Sequence, residues 1–151
     1  MQSKRLLISG LAAGVVMAVV DFIANGVVLA ERYKMLQQAG HFLPAPRLPF
    51  FPLWILMELA LGIGVAWIYA AVRPRLGPGP KTALTVGAVL GLMIYLPGNL
   101  AQASWSAVGR FVPLVWLIFG LIGTIAGALV AGALYKEELR GQIPASALPS
   151  R

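Results

Sequence analysis

The sequence predicts an all-α fold: a bundle of four transmembrane helices forming a single integral membrane domain over residues 1–151. Three observations predict it. Four apolar stretches, residues 6–30, 51–72, 82–105 and 111–135, each exceed the roughly 20 residues a helix needs to cross a bilayer core. Charge is scarce: 11% of residues are Asp, Glu, Lys or Arg, against about a quarter in soluble domains, and the mean hydropathy is +0.82. The charges are also sorted. All twelve Lys and Arg fall outside the apolar stretches, while Asp21 and Glu58 fall inside them.

The first stretch follows Lys4 and Arg5, and Val28-Leu29-Ala30 before Glu31 resembles a signal cleavage site. The run is longer than a signal core of about 7–15 residues and it contains Asp21, so a retained helix is expected. Residues 31–51 carry Arg32, Lys34, His41 and Arg47, with prolines at 44, 46, 49 and 52. Those prolines exclude a continuous helix over 43–51. Residues 31–40 are expected to extend the first helix or to lie on the membrane surface, with Gly40 as the stop.

The second stretch holds Glu58 and is expected to end at Arg73-Pro74-Arg75, before a tight L-G-P-G-P turn at 76–80. The third has no formal charge but contains Tyr95, Pro97, Asn99 and Gln102. Pro97 cannot donate a backbone hydrogen bond, so a bend or an unwound segment is expected there. The fourth stretch follows Arg110 and is charge-free. The tail 136–151, rich in Gly, Pro and Ser after K-E-E-L-R, is expected to be flexible.

Four spans place eight Lys/Arg (4, 5, 73, 75, 81, 136, 140 and 151) on one side and four (32, 34, 47 and 110) on the other. The positive-inside rule then puts both N and C termini in the cytoplasm. The expected location is the inner membrane of a bacterial cell. Trp54, Trp105 and Trp116 fall at the expected outer boundary, and Tyr69 and Tyr135 near the inner one, in the manner of aromatic belts. An internal repeat also suggests itself. The second and fourth stretches align at an offset of 61 (Pro52/Pro113, Leu53/Leu114, Gly62/Gly123, Ala70/Ala131). The first and third align at 77 (Gly10/Gly87, Gly14/Gly91, Asn25 against Gln102). Such a pattern fits a duplicated two-helix hairpin.

Several functions are disfavoured. The absence of Cys removes disulfides, thiol catalysis and thiolate metal sites. The net charge of +7 is spread over flanks and loops, which fits anionic head groups better than nucleic acid, so no nucleic-acid partner is expected. No HExxH, G-x-S-x-G, Walker or dinucleotide-binding motif is present. No catalytic residues and no cofactor are expected, and a non-enzymatic role is favoured.

The polar residues inside the spans carry the functional reading. With 1.5 Å of rise per residue, Asp21, Asn25, Glu58, Asn99 and Gln102 all fall in the expected outer half of the membrane. They lie on the same helix faces as small residues. The rows are Gly10, Gly14, Ala18, Asp21 and Asn25; Glu58, Gly62, Ala66 and Tyr69; and Gly87, Gly91, Tyr95, Asn99 and Gln102. The last stretch offers Gly120, Gly123 or Thr124, Gly127 and Ala131. Small-xxx-small rows mark helix–helix seams, so the polar groups are expected to face into the bundle. A carboxylate at membrane depth costs about 2.5–3.5 kcal/mol on insertion scales. Interhelical hydrogen bonds average only about 0.6 kcal/mol, which makes structural glue poor compensation for two buried acids. Asp21, Asn25, Glu58, Tyr95, Asn99 and Gln102 are therefore the candidate ligand- or ion-binding residues. His41 is a lesser candidate, as a metal ligand beside Asp21 or Glu58.

Two function classes follow. The first is a small proton- or cation-coupled transporter or ligand binder, dimerising to complete a path. The second is a non-catalytic accessory subunit of a larger membrane complex. Both have the lipid bilayer as partner, with a homo-oligomer or a larger assembly around the chain. Asp21 followed by Tyr33, the G-A-V-L-G-L-M-I-Y run at 87–95, Asn99-Leu100-Ala101 with Trp105 and the Gly-rich last stretch give the chain a loose resemblance to small bacterial four-span proteins of the domain-of-unknown-function type. At 96–98, Leu-Pro-Gly departs from that pattern. The resemblance implies the four-span fold and no assigned activity.

Overall fold

The computed structural model describes residues 3–135, and the tail expected to be flexible lies outside the described residues. Five α-helices and no strand occupy them. They are α1 (Ser3–Ile23), which runs into a π-helical turn (Ala24–Val28); α2 (Ala30–Gln38); α3 (Phe50–Leu76); α4 (Pro80–Trp105); and α5 (Phe111–Leu134). Four of these, α1 with its π turn, α3, α4 and α5, are long and apolar enough to cross a membrane.

Boundaries follow local chemistry. Gly40, at φ 75°, ends α2: the amides of His41 and Phe42 both donate to the Leu36 carbonyl, a glycine-dependent helix stop. Residues 30–38 therefore form their own short helix and do not extend the first one. Pro80 opens α4 at its first turn, where the missing amide costs nothing. Two expectations need correction. Arg73-Pro74-Arg75 does not end the second span, because α3 continues to Leu76. Pro74 removes only one hydrogen bond in the last turn, and the helix stops where Gly77 takes φ 84°. The Thr82 hydroxyl then caps the open carbonyls of Leu76 and Gly77 at 3.2 and 2.8 Å. Pro97 does not unwind α4, which stays helical through Pro97 and Gly98. The irregular turn lies instead in the first span, where the Leu29 amide reaches back five residues to the Ala24 carbonyl at 2.9 Å.

Glycines set the antiparallel packing. α1 packs on α3 and α5, and α4 packs chiefly on α5. A Cβ added at Gly10 would meet the Ile63 backbone at 2.6 Å, and one at Gly14 the Leu59 backbone at 2.7 Å. The same holds at Gly87 against Ile125 at 2.6 Å and at Gly91 against Leu121 at 3.2 Å. Gly127 abuts Ala13 and Met17 of α1. Without a hydrophobic drive between helices in lipid, close backbone approach of this kind supplies the packing energy.

The buried core divides by level. Ala13, Met17, Val65, Ala66, Ala128 and Ala131 fill the middle. Leu29 and Leu36 pack on Val112 and Val115 at the α2 end. Tyr69, Ala83 and Tyr135 pack at the other end. Trp105 is 90% exposed, whereas Tyr69 and Tyr135, expected in the inner aromatic belt, are 1 and 2% exposed and lie inside the bundle. Tyr69 turns inward because its hydroxyl accepts the Gly79 amide at 3.1 Å.

Candidate functional site

The π turn is the pivot of the site. An i→i+5 turn inserts one extra residue and re-aims the side chains that follow it, and such turns often occur at functional positions. Here it presents Asn25. The Asn25 amide nitrogen donates to the Asp21 carbonyl at 2.9 Å, while its side-chain oxygen accepts from the Tyr33 hydroxyl of α2 at 2.5 Å and from the Trp116 indole of α5 at 2.9 Å. The Trp116 indole also approaches the Tyr33 oxygen at 2.9 Å. The π turn and the neighbouring α2 are thus knotted through one amide to α5, which is distant in sequence. Burial pushes the Tyr33 phenol above its ordinary value; the bond from Trp116 opposes that rise and the Asp21 charge adds to it. Tyr33 remains a hydroxyl donor at physiological pH. Trp116, expected at a membrane boundary as a belt residue, is turned inward by this knot.

Replacing Trp116 with Phe leaves the ring volume nearly filled but removes the donor that serves both Asn25 and Tyr33. Each part-buried hydrogen bond contributes about 1 kcal/mol. We expect Trp116→Phe to speed amide exchange in α2 and in residues 39–49 while the middle of α4 and α5 keeps its protection. Unchanged exchange in α2 would show that the knot does not hold that helix.

Below the knot, Asp21, Asn25 and Glu58 line one cavity of about 350 Å³, together with Ala18, Phe22, Gly26, Phe51, Trp54 and Ile55. Glu58 is 4% exposed, and its Oε2 has no hydrogen-bond partner. The two carboxylates lie within electrostatic reach of each other. No Lys or Arg lines the cavity, and the ion pair seen at this end of the molecule, Lys34–Glu31, is on the surface of α2. Behind Glu58 sits Tyr95 of α4, next to Thr124 of α5. Tyr95 fits there because Gly120 leaves its ring room: a Cβ at position 120 would overlap the ring.

A second cavity of about 540 Å³ opens above the first, between α2 and the 41–47 connection, and is lined by Tyr33, Gln37, His41 and Arg47 among others. Asn25, Phe51 and Trp54 line both cavities, so the two adjoin across these three residues. A third cavity, at the α3–α4 turn, is lined by Tyr69, Arg73 and Tyr135, away from both acids.

Of the sequence-derived candidates, Asp21, Asn25 and Glu58 share the lower cavity, Tyr95 backs it and His41 lines the upper one. Asn99 is partly buried and spends its amide on the Tyr95 carbonyl at 2.8 Å. Gln102 is exposed on α4. Among the described residues, no group of three or more His, Asp or Glu is arranged to hold a metal ion. Tyr33, Trp54 and Trp116 join the site without a sequence signal that sets them apart from interfacial aromatics. Compared with known proteins, the chain matches no family model, no curated protein and no solved structure.

Proposed function

We propose that this chain is a membrane-embedded binding protein whose Asp21–Glu58 cleft takes up a proton or a cationic small ligand, as part of a coupled transporter. One observation carries the reading: the Glu58 carboxyl is hydrogen-bonded to Tyr95, but its Oε2 is buried beside a cavity with no hydrogen-bond partner. A buried acid with one oxygen left unsatisfied is expensive, and an exchanging cation or proton resolves that cost. The cleft adjoins the cavity beneath α2, on the side of the bundle that carries His41 and Arg47. In this reading the termini lie in the cytoplasm of a bacterial cell and the cleft faces outward, in line with the eight-to-four Lys/Arg bias.

The duplicated-hairpin reading has support of its own. Gly10 and Gly14 contact Ile63 and Leu59, while Gly87 and Gly91 contact Ile125 and Leu121. The first helices are offset by 77 and the contacted residues by 62, one more than the offset of 61 in the sequence alignment. At the matching level one hairpin has Ala18 and Glu58 and the other has Tyr95 and Gly120. The small and large partners are exchanged, so one repeat carries the acid and the other fills the space behind it.

The accessory-subunit reading has one favourable observation. α4 is the least covered of the four spans and presents Leu92, Met93 and Trp105 outward. A second copy or a larger partner would bind there.

The test is carboxyl infrared spectroscopy of the purified protein in lipid nanodiscs, stepped from acid to alkaline pH. Glu58 is expected to contribute a titrating carboxyl band that disappears in Glu58→Gln, with a further change in Asp21→Asn. Spectra that superimpose in wild type and Glu58→Gln would end the proposal.

A further inference from the structure

We infer that the cleft selects a lipophilic organic cation that reaches it sideways from the bilayer, an inference that rests on the cation-binding reading above and names its ligand class. Charge comes first. Two carboxylates and no basic residue line the lower cavity, so an anionic or neutral ligand leaves them uncompensated. Chemistry disfavours divalent metal ions. Divalent metal ions take six or more oxygen ligands, or hold several waters, while two carboxylates and one amide in an otherwise apolar wall offer neither. The wall instead contains Phe22, Phe51 and Trp54, and aromatic faces around a buried acid are the environment that attracts a desolvated organic cation. A volume of about 350 Å³ is within the range of small-molecule sites.

The route follows from exposure. Phe22 is 72% exposed, and Phe51 and Ile55 are also open on the outer surfaces of α1 and α3. Those surfaces belong to spanning helices and face acyl chains. The mouth of the cavity is therefore a gap between α1 and α3 at membrane depth, whose rim is apolar and whose inner wall is Glu58. A hydrophobic cation already dissolved in lipid meets the aromatic rim first and the carboxylate second. A hydrated ion gains nothing from that apolar rim.

The probe is tetraphenylphosphonium, a permanent cation with an apolar shell, measured by equilibrium dialysis against the protein in nanodiscs. Tetraphenylborate serves as the anion of the same shape and ammonium as the hydrated competitor. Saturable tetraphenylphosphonium binding is expected. Glu58→Gln should weaken it about tenfold or more, between the effects of losing one contact charge in water and at a protein surface. Phe22→Ala should weaken it with the infrared carboxyl band intact, and Glu31→Gln should leave it unchanged. Equal binding of tetraphenylborate, equal affinity in Glu58→Gln, or no saturable binding overturns the inference. Should the Glu58 carboxyl band titrate while tetraphenylphosphonium fails to bind, the ligand class falls and the exchanging carboxyl survives. Loss of both removes the underlying reading as well.

Discussion

Replacing Gly62 with Leu should abolish the folded bundle, while the same substitution two residues later at Gly64 should leave it intact. A Cβ at position 62 falls on the Gly14 backbone nitrogen and Cα and on the Gly10 carbonyl oxygen. Every obstructing atom is main chain, so no rotamer change relieves the overlap. α1 and α3 must move apart, and the contacts at Gly10, Gly14 and Gly62 are lost together. Overpacking in a tight core typically costs about 1–3 kcal/mol, and an obstruction made wholly of backbone on both sides belongs at or above the top of that range. Gly64 has nothing within 4 Å of its added Cβ. Gly123, where the nearest atoms are Val20 carbons at 3.5 Å, should tolerate Ala. Thermal unfolding of the three variants in one detergent checks the ordering. The site moves with the seam, because Glu58 stands one turn from Gly62 on the same face of α3. A Gly62→Leu protein as heat-stable as Gly64→Leu would show that the α1–α3 seam does not hold the bundle.

The same seam explains how much was legible beforehand. Helix number follows from apolar length, and glycine spacing at three and four residues reports which faces meet, since only a missing side chain permits backbone contact. Gly10, Gly14, Gly62, Gly87, Gly91, Gly120 and Gly127 all do what their spacing implies. Asp21 and Glu58 could be brought together in advance because an acid in an apolar run has few places to face. The Asn25–Tyr33–Trp116 knot could not. Its members are up to 91 residues apart, and a Trp near the end of an apolar run reads equally as a lipid-interface anchor or as an inward donor. Nor did the π turn have a marker, since Ala24–Val28 contains no proline to suggest it. Pro97, the residue that did suggest irregularity, is accommodated within a continuous helix. Gln102 shares its row with Gly91 and Tyr95 but ends up exposed, because a face drawn over four turns drifts away from a neighbour it meets only over the first two.

The back of the site makes the second large prediction. Gly120 and Tyr95 occupy one space: an added methyl at Gly120 would lie within 2.6 Å of the ring carbon nearest the Tyr95 backbone and overlap the ring edge as well. A flat ring seated between α4 and α5 cannot yield at that carbon without leaving its position. Gly120→Ala should therefore expel Tyr95 from behind Glu58, destabilise the bundle by about 1–3 kcal/mol and alter the Glu58 carboxyl band. Tyr95→Ala alone should cost about 3–5 kcal/mol, as for other large aromatic truncations. Combined, the two should cost less than their sum, because the alanine methyl at 120 then projects into space that the ring has vacated. Sites in contact show coupling of about 0.5–3 kcal/mol in double-mutant cycles, and here the sign is fixed by the geometry: the second substitution must be milder in the presence of the first. Strict additivity would mean that the ring does not rest on Gly120. It would also mean that the small-for-large exchange between the hairpins, Ala18 with Glu58 against Tyr95 with Gly120, is not what leaves the acid its cavity.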